Sequence, residues 1–269
     1  VSLIRAILRP TRAPTLAERI TAIDPHPPRE GGRRLRGAPT PTISVVTVCF
    51  RSAKTIADTI ASVAGQSCIA AGVEVEHVVV DGGSDDGTVA ILEAHDATLG
   101  YWRSEPDGGI YDAFNKGISL ARGEFVQILN SDDWMEPDQL ERALACLHAS
   151  GADFAHGDIV LHGWRGGDLR IGGDPHWDLR VRRTMPAIHQ ATVLARRSVF
   201  ARVGLFRTDL RIASDYDWFI RLAQAGIRGA YEPTILAHMR AGGASTARQR
   251  RTIAEGFACA YGNGDRLLP

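Results

Sequence analysis

Phe125-Val126-Gln127-Ile128-Leu129-Asn130-Ser131-Asp132-Asp133 is the stretch whose reading decides the fold. A short, largely apolar run suits a buried strand, and a cluster of side-chain oxygens follows at its carboxyl end. In an open α/β sheet, ligands bind outside that end of the strands. Hard oxygens there suit Mg²⁺ or Mn²⁺, and such an ion usually holds phosphate oxygens as well. Acidic residues also cap helices and build turns, so a loop or cap reading stands beside the metal reading until the rest of the chain is weighed.

Outward from this stretch, strands and helices alternate. Ile43 to Phe50 is a nearly continuous apolar and β-branched run, as expected of a strand covered on both faces. Ile56, Ile60 and Val63 follow at helical spacing. Val73 to Val80 contains a second strand, and a helix from about Thr88 buries Val89 and Leu92. Ile110, Phe114, Gly117 and Ala121 mark one face of a third helix, with Gly123 placed to end it in a left-handed conformation. Pro137 fits the first turn of a helix that buries Leu140, Leu144 and Leu147. This rhythm predicts an α/β fold with a mostly parallel central sheet and helices on both faces. The second half is less regular. It reads as a strand over Phe154–Leu161, a Gly-rich loop or hairpin over His162–Asp174, a short helix over Val199–Val203 and a longer one over Asp215–Ala225, stopped by Gly226.

The chain has 269 residues and a formal net charge of zero, long enough for one large domain and without the basic excess that nucleic acid favours. Cys49, Cys68, Cys146 and Cys259 are scattered with no CxxC pair, so neither a zinc site nor a disulfide framework is indicated. A reducing cytoplasm is the simplest compartment. No apolar run is long enough to span a bilayer. Residues 10–42, rich in Pro, Arg and Gly, read as linker, which divides the chain into an extension over 1–41 and a domain over 42–269. The first nine residues combine a short apolar face with arginines and suit an anionic membrane surface, although a packed or frayed helix is the plainer reading.

Four further segments carry candidate chemistry. In Asp81-Gly82-Gly83-Ser84-Asp85-Asp86-Gly87-Thr88, the glycines permit a tight turn and close approach of a ligand. Asp81 stands at a strand end to accept from a base or ribose donor, and Asp85, Asp86 or Thr88 can cap the next helix. Ser104 to Gly117 turns at Asp107-Gly108-Gly109 into an amphipathic helix with Asp112, Asn115 and Lys116 near its start. Ser214-Asp215-Tyr216-Asp217-Trp218 opens a helix for which Ser214 or Asp215 is a natural N-cap, while a carboxylate there can also serve as a general base. Near the end, His238-Met239-Arg240-Ala241-Gly242-Gly243-Ala244-Ser245 sets an imidazole and a guanidinium before a glycine pair, as in a loop that closes over phosphate.

Taken together, the strand Ile43–Phe50, the turn Val80–Thr88, the Asn130–Asp133 stretch and Ser214–Asp217 resemble the family 2 inverting glycosyltransferases of GT-A fold. The resemblance covers about Thr42 to Ser245. Ser104 to Gly117 is similar to a bacterial subgroup of capsule, exopolysaccharide and glycolipid assembly. The resemblance implies a nucleoside diphosphate sugar as donor, a glycan or lipid-linked saccharide as acceptor, Mg²⁺ or Mn²⁺ as cofactor, and a cytoplasmic location with peripheral contact at the inner membrane face. It also implies roles. Thr47 and Phe50 line the nucleotide pocket, and Asp81 binds the base or ribose. Asp112 and Lys116 sit close to the donor. Asp132 contacts ribose and metal, with Asp133 beside it, His238 lies near the diphosphate or metal, and Asp215 is the base. Asn130 stands where the family often has Asp, and Ser214 departs from its usual acidic pair.

Rival functions make different demands. A nucleotidyltransferase usually has a Gly-rich, Arg-containing loop after its first strand, where this chain reads Arg51-Ser52-Ala53-Lys54. A dinucleotide oxidoreductase needs G-x-G-x-x-G there. A non-catalytic sugar-nucleotide-binding protein has less need of both Asp132 and Asp215.

Overall fold

The computed structural model describes residues 28–181, 188–242 and 249–262. Its ten strands are β1 (Arg29–Gly31), β2 (Ile43–Cys49), β3 (Val75–Asp81), β4 (Tyr101–Ser104), β5 (Phe125–Asn130), β6 (Trp134–Met135), β7 (Phe154–Trp164), β8 (Gly167–Ile171), β9 (Leu194–Arg196) and β10 (Gly229–Arg240). They form one sheet in the order β1-β4-β3-β2-β5-β9-β7-β10-β6, with β8 a hairpin partner of β7.

The block β4-β3-β2-β5 is parallel, as the βαβ rhythm requires, and Val46 lies opposite Val78 on one side and Ile128 on the other. β7 and β10 form a second parallel pair. The short β9 joins the two blocks by running antiparallel to both β5 and β7, so the carboxyl ends of β2, β3, β5 and β7 open on one edge.

The longer helices are α1 (Ile56–Ala64), α2 (Thr88–Ala94), α3 (Ile110–Leu120), α4 (Gln139–Ser150), α5 (Arg197–Val203), α6 (Ser214–Gln224) and α7 (Gln249–Gly262). They cover both faces. Val46, Val48, Val78 and Ile128 pack with Phe114, Ile118, Trp218 and Phe206 on one side. Ile43, Val45, Phe125 and Leu129 pack with Leu140, Leu144 and Leu147 on the other. The alternation of β2 residues between these clusters is what burial on two faces means for a strand with period-2 side chains.

Three local expectations need correction. Gly123 does not end α3 in a left-handed conformation; Ala121, with extended backbone, follows the helix. Gly123 is required by contact instead, since a Cβ there would stand 2.6 Å from the Ser44 nitrogen. Ile110 is exposed, and Tyr111 takes the inward position at the start of α3. Residues 29–36, inside the stretch read as linker, are held on β4 by pairing and by charge. Arg34 reaches Glu76 at 2.8 Å and the Leu120 carbonyl at 2.8 Å, and lies 4.7 Å over the Tyr101 ring. An arginine-held edge strand leaves little hydrophobic trace in sequence.

Candidate active site

Asp81 ends β3 fully buried. Its Oδ2 accepts from the amides of Gly83 (3.1 Å) and Ser84 (2.9 Å) and from the Ser104 hydroxyl (2.7 Å), while Oδ1 accepts from the Ser84 hydroxyl (2.5 Å). These bonds draw the turn after β3 closed and use the carboxylate's acceptor capacity. A base or ribose contact at Asp81 therefore requires exchange of one of these donors. Beyond the turn, Asp86 Oδ1 accepts from the Thr88 amide at 3.1 Å, but Gly87 holds the N-cap position of α2, with no side-chain cap, in place of the expected Asp85, Asp86 or Thr88.

Thr47 does not reach the cleft: it is buried in mid-strand with its hydroxyl 2.8 Å from His77 Nε2. Phe50 does, because it follows the last residue of β2 and is 57% exposed. Arg51 takes a positive φ of 54°, lies 5.2 Å over the Phe50 ring and forks onto Asp85 with two contacts of 2.8 Å. Gly82 lies between Phe50 and Asp107, since a Cβ on it would stand 3.4 Å from one and 2.6 Å from the other. Asp107 itself accepts from the Gly109 amide at 2.7 Å, and burial raises its pKa against that bond and the Lys116 charge.

Asp112 and Lys116 form one network at the start of α3. Asp112 accepts from the Gly108 amide at 3.0 Å, and Lys116 Nζ lies 3.0 Å from Glu105 and 3.7 Å from Asp112. Their geometry stiffens the turn at Asp107-Gly108-Gly109.

The oxygens after β5 divide into two environments. Asp132 is half-buried, and its backbone carbonyl accepts from Arg240 Nη1 at 2.7 Å. Burial raises its carboxyl pKa, opposed by the Arg240 charge. Asp133 is 2% exposed, and burial together with the neighbouring Asp132 charge pushes it up to about 8. Asn130 Nδ2 donates to Asp133 at 3.2 Å, while Asn130 Oδ1 is buried with no hydrogen-bond partner among the described residues.

His238 does not join this set. Its Nδ1 lies 2.9 Å from His162 Nε2, its Nε2 lies 2.6 Å from Glu136 Oε1, and its ring stacks on Trp134 at 5.0 Å. Both nitrogens are engaged, so metal ligation by His238 requires exchange of one of these partners. Gly243 to Ser245, the rest of the closing loop expected there, lie outside the described residues. No group of three or more His, Cys, Asp and Glu among the described residues could hold a metal ion. The donor set still fits Mg²⁺ or Mn²⁺, because these ions are commonly held by one or two carboxylates and completed by phosphate oxygens and water. The orphaned Asn130 Oδ1 beside two acidic groups is the structural mark of that fit.

Asp215 stands in the first turn of α6. Neither it nor Ser214 is the N-cap: Ala213 holds that position, and the Ser214 hydroxyl is buried without a partner among the described residues. Asp215 Oδ1 accepts from the Tyr216 amide at 2.8 Å and lies 3.2 Å from the Tyr111 hydroxyl. Burial raises the Asp215 pKa; the Tyr216 and Tyr111 bonds oppose this, and the Glu255 charge adds to it.

These groups share one edge of the sheet through a continuous chain of contacts. The Ser131 and Ser52 hydroxyls meet at 2.8 Å, Phe50 and Asp107 flank Gly82, and Arg211 Nη1 donates to the Gly108 carbonyl at 2.9 Å, four residues before Asp215. A cavity of about 570 Å³ lined by Ile118, Glu124, Arg196 and Phe200 lies instead at the amino end of β5 and contains none of the expected site residues. Arg240, expected in a phosphate-closing loop, holds the Asp132 carbonyl. Tyr111 and Glu255 belong to the site's construction and carry no signal in the sequence. Tyr111 reads there as a helix residue beside Asp112, and no local signal links Glu255 to a segment more than forty residues earlier.

The family model described as "Glycosyl transferase family 2" matches residues 44–206. An uncharacterized glycosyltransferase of Mycobacterium tuberculosis is 34% identical over 188 residues, covering 68% of this chain and 69% of that protein. A PGL/p-HBAD biosynthesis glycosyltransferase of Mycobacterium bovis is 32% identical over 187 residues, 67% of this chain and 69% of that one. The solved structure of the mannosyltransferase PcManGT from Pyrobaculum calidifontis, in complex with GDP-Man and Mn²⁺, superposes with a TM-score of 0.63 at 20% identity, over 94% of this chain and 71% of that one. That likeness bears on fold, and it agrees with the GT-A architecture expected from the sequence.

Proposed function

The chain belongs to glycosyl transferase family 2, and on that premise we propose that it moves a sugar from a UDP- or GDP-sugar to an acceptor hydroxyl, with inversion, in bacterial glycan or glycolipid synthesis. The observation that carries the reading is the shared edge. What supports it is that an exposed aromatic ring (Phe50) and a hard-oxygen cluster (Asn130, Asp132, Asp133) stand at or just after the carboxyl ends of β2 and β5, where α/β sheets bind ligands, and that a carboxylate with a raised pKa (Asp215) is tied through Tyr111 to the start of α3.

In this mechanism Phe50 offers a face for the base. The turn closed by Asp81 brings the Gly82 and Gly83 backbone close to the nucleoside. Asp132, with Asp133 beside it, would hold a divalent cation, which supplies neutralisation of the diphosphate's charge. Asp215 takes the proton of the acceptor hydroxyl as its oxygen bonds to the anomeric carbon. The bond from that carbon to the diphosphate breaks on the opposite face, and the diphosphate leaves with the electron pair. Burial of Asp215 helps, because a carboxyl with a raised pKa is a stronger base once ionised. Asp112 and Lys116 act by stiffening the turn beside the donor.

A panel of UDP- and GDP-sugars with Mn²⁺ and glycan or lipid-linked acceptors tests the reading through release of nucleoside diphosphate. Release of pyrophosphate would instead favour a nucleotidyltransferase, and binding with no turnover across the panel a binding module.

A cytoplasmic enzyme touching the inner membrane face through its first residues suits a lipid-linked acceptor. No helix among the described residues is long and apolar enough to cross a membrane. The segment expected to touch the membrane, residues 1–9, lies outside the described residues. Flotation with anionic liposomes, with and without residues 1–40, tests that contact: identical partition of the two chains argues against it.

A further inference from the structure

We propose that Glu255 is a positioning residue for sugar transfer: from α7 it clamps the backbone amides of residues 211–213 and so fixes where Asp215 stands on the cleft edge. This rests on the reading of Asp215 as the base.

Glu255 is 1% exposed. Its Oε2 accepts from the amides of Arg211 (2.9 Å), Ile212 (2.8 Å) and Ala213 (3.2 Å), and its Oε1 from Arg211 (3.1 Å) and from Arg251 Nε (3.0 Å). Three consecutive amides converging on one carboxylate make a nest, a geometry that a backbone adopts around an anion. Here the anion is a side chain from another element. One turn further along α7, Cys259 Sγ lies 3.6 Å from the Ala213 carbonyl, so a single helix face grips the amides and the carbonyl of the same tripeptide. On the opposite side, Tyr111 donates to the Ile212 carbonyl. The tripeptide is thus held between α3 and α7, two residues before Asp215.

The clamp answers a local deficiency. Ala213 is the N-cap of α6 and offers no side-chain oxygen, and the Ser214 hydroxyl bonds to nothing among the described residues. The start of α6 therefore depends on contacts from elsewhere, and a buried carboxylate accepting several amide bonds is a strong, charge-assisted one. Positioning matters because displacement of a catalytic group by about 1 Å can cost roughly 10²-fold in rate. The groups facing Asp215 are Tyr111 from α3, and Glu255 (paired with Arg251) and Cys259 from α7. Of these, the Glu255 charge works to hold the Asp215 proton on.

The test compares full-length wild type with Glu255→Gln, Glu255→Ala and Asp215→Asn, measuring kcat, donor KM, melting temperature and the pH dependence of kcat with the donor found in the panel. Glutamine can keep a carbonyl oxygen on the three amides while losing the charge. It is expected to leave donor KM within about twofold and to move the acid limb of kcat to lower pH. Alanine is expected to lower kcat by about 30-fold or more with donor KM within about threefold. A purely architectural Glu255 would lower the melting temperature and leave the limb of Glu255→Gln in place, which overturns the proposal even where Glu255→Ala fails to fold. Wild-type kcat in Glu255→Ala overturns it too. An inactive Asp215→Asn beside normal Glu255 variants refutes the clamp alone, whereas an active Asp215→Asn refutes the base and the clamp together.

Discussion

The Tyr111 hydroxyl lies between the Ile212 carbonyl and Asp215 Oδ1, 3.2 Å from the latter. Two segments about a hundred residues apart thus meet at one carboxylate. The Tyr111 bond favours the ionised form of Asp215. Tyr111→Phe is therefore expected to raise the Asp215 pKa further and to move the acid limb of kcat to higher pH. The shift runs opposite to that of Glu255→Gln, and a pH profile of kcat for both variants reads the two directions in one experiment. A limb that stays put in Tyr111→Phe would show that the bond has no bearing on the group that titrates.

Asp133 stores instability that pH reveals. Its folded-state pKa, about 8, lies above its ordinary value of 3.8, so the fold favours its protonated form. The stability this gives is fully present below about pH 4 and is lost as pH rises toward 8. Asp133→Asn keeps a neutral acceptor for Asn130. It is expected to raise the melting temperature by about 3–6 °C at pH 7.5, with a smaller gain at pH 5. Calorimetric scans at the two pH values check this, and equal gains at both would contradict the assignment.

Asp132 makes a different prediction, about metal-dependent binding. With Mn²⁺ present, Asp132→Ala is expected to weaken UDP or GDP binding by about tenfold or more. With chelator present, the two proteins are expected to bind alike. Because Asp133 is protonated near neutrality, cation binding beside it should also release protons and tighten as pH rises. Titration calorimetry in buffers of different ionisation enthalpy reads both effects.

Phe50→Ala removes an exposed ring at the end of β2. Base–aromatic stacking is worth roughly 1–3 kcal/mol per base, so nucleotide affinity is expected to fall at least about fivefold, with little change in melting temperature. Unchanged affinity would place the base elsewhere.

How much of this was legible in the sequence follows from how each contact is made. Nearly continuous apolar runs, such as Ile43–Phe50 and Phe125–Leu129, announce buried strands because covering both faces leaves few polar positions. Asp81 and Asp132 were legible as strand-end carboxylates for the same reason. The position of Asp215 on the cleft was not legible locally, since Ser214-Asp215 reads equally as a cap and the clamp comes from Glu255 in α7. Thr47, placed in the nucleotide pocket by the resemblance alone, has its hydroxyl satisfied by His77 across the ladder, a contact with no local signal. The partners of His238 were not legible either, because only the folded sheet brings His162 and Glu136 to its two nitrogens. The Gly-rich segment of the β7–β8 hairpin reads equally as loop or hairpin, since its glycines fit both.

The most direct measurement pairs donor binding with turnover in Asp215→Asn. The account predicts that this variant binds the nucleotide sugar with Mn²⁺ as tightly as wild type, within about twofold, while sugar transfer falls by about 10²–10⁴-fold. Wild-type turnover in Asp215→Asn, or loss of donor binding equal to the loss of turnover, would contradict it.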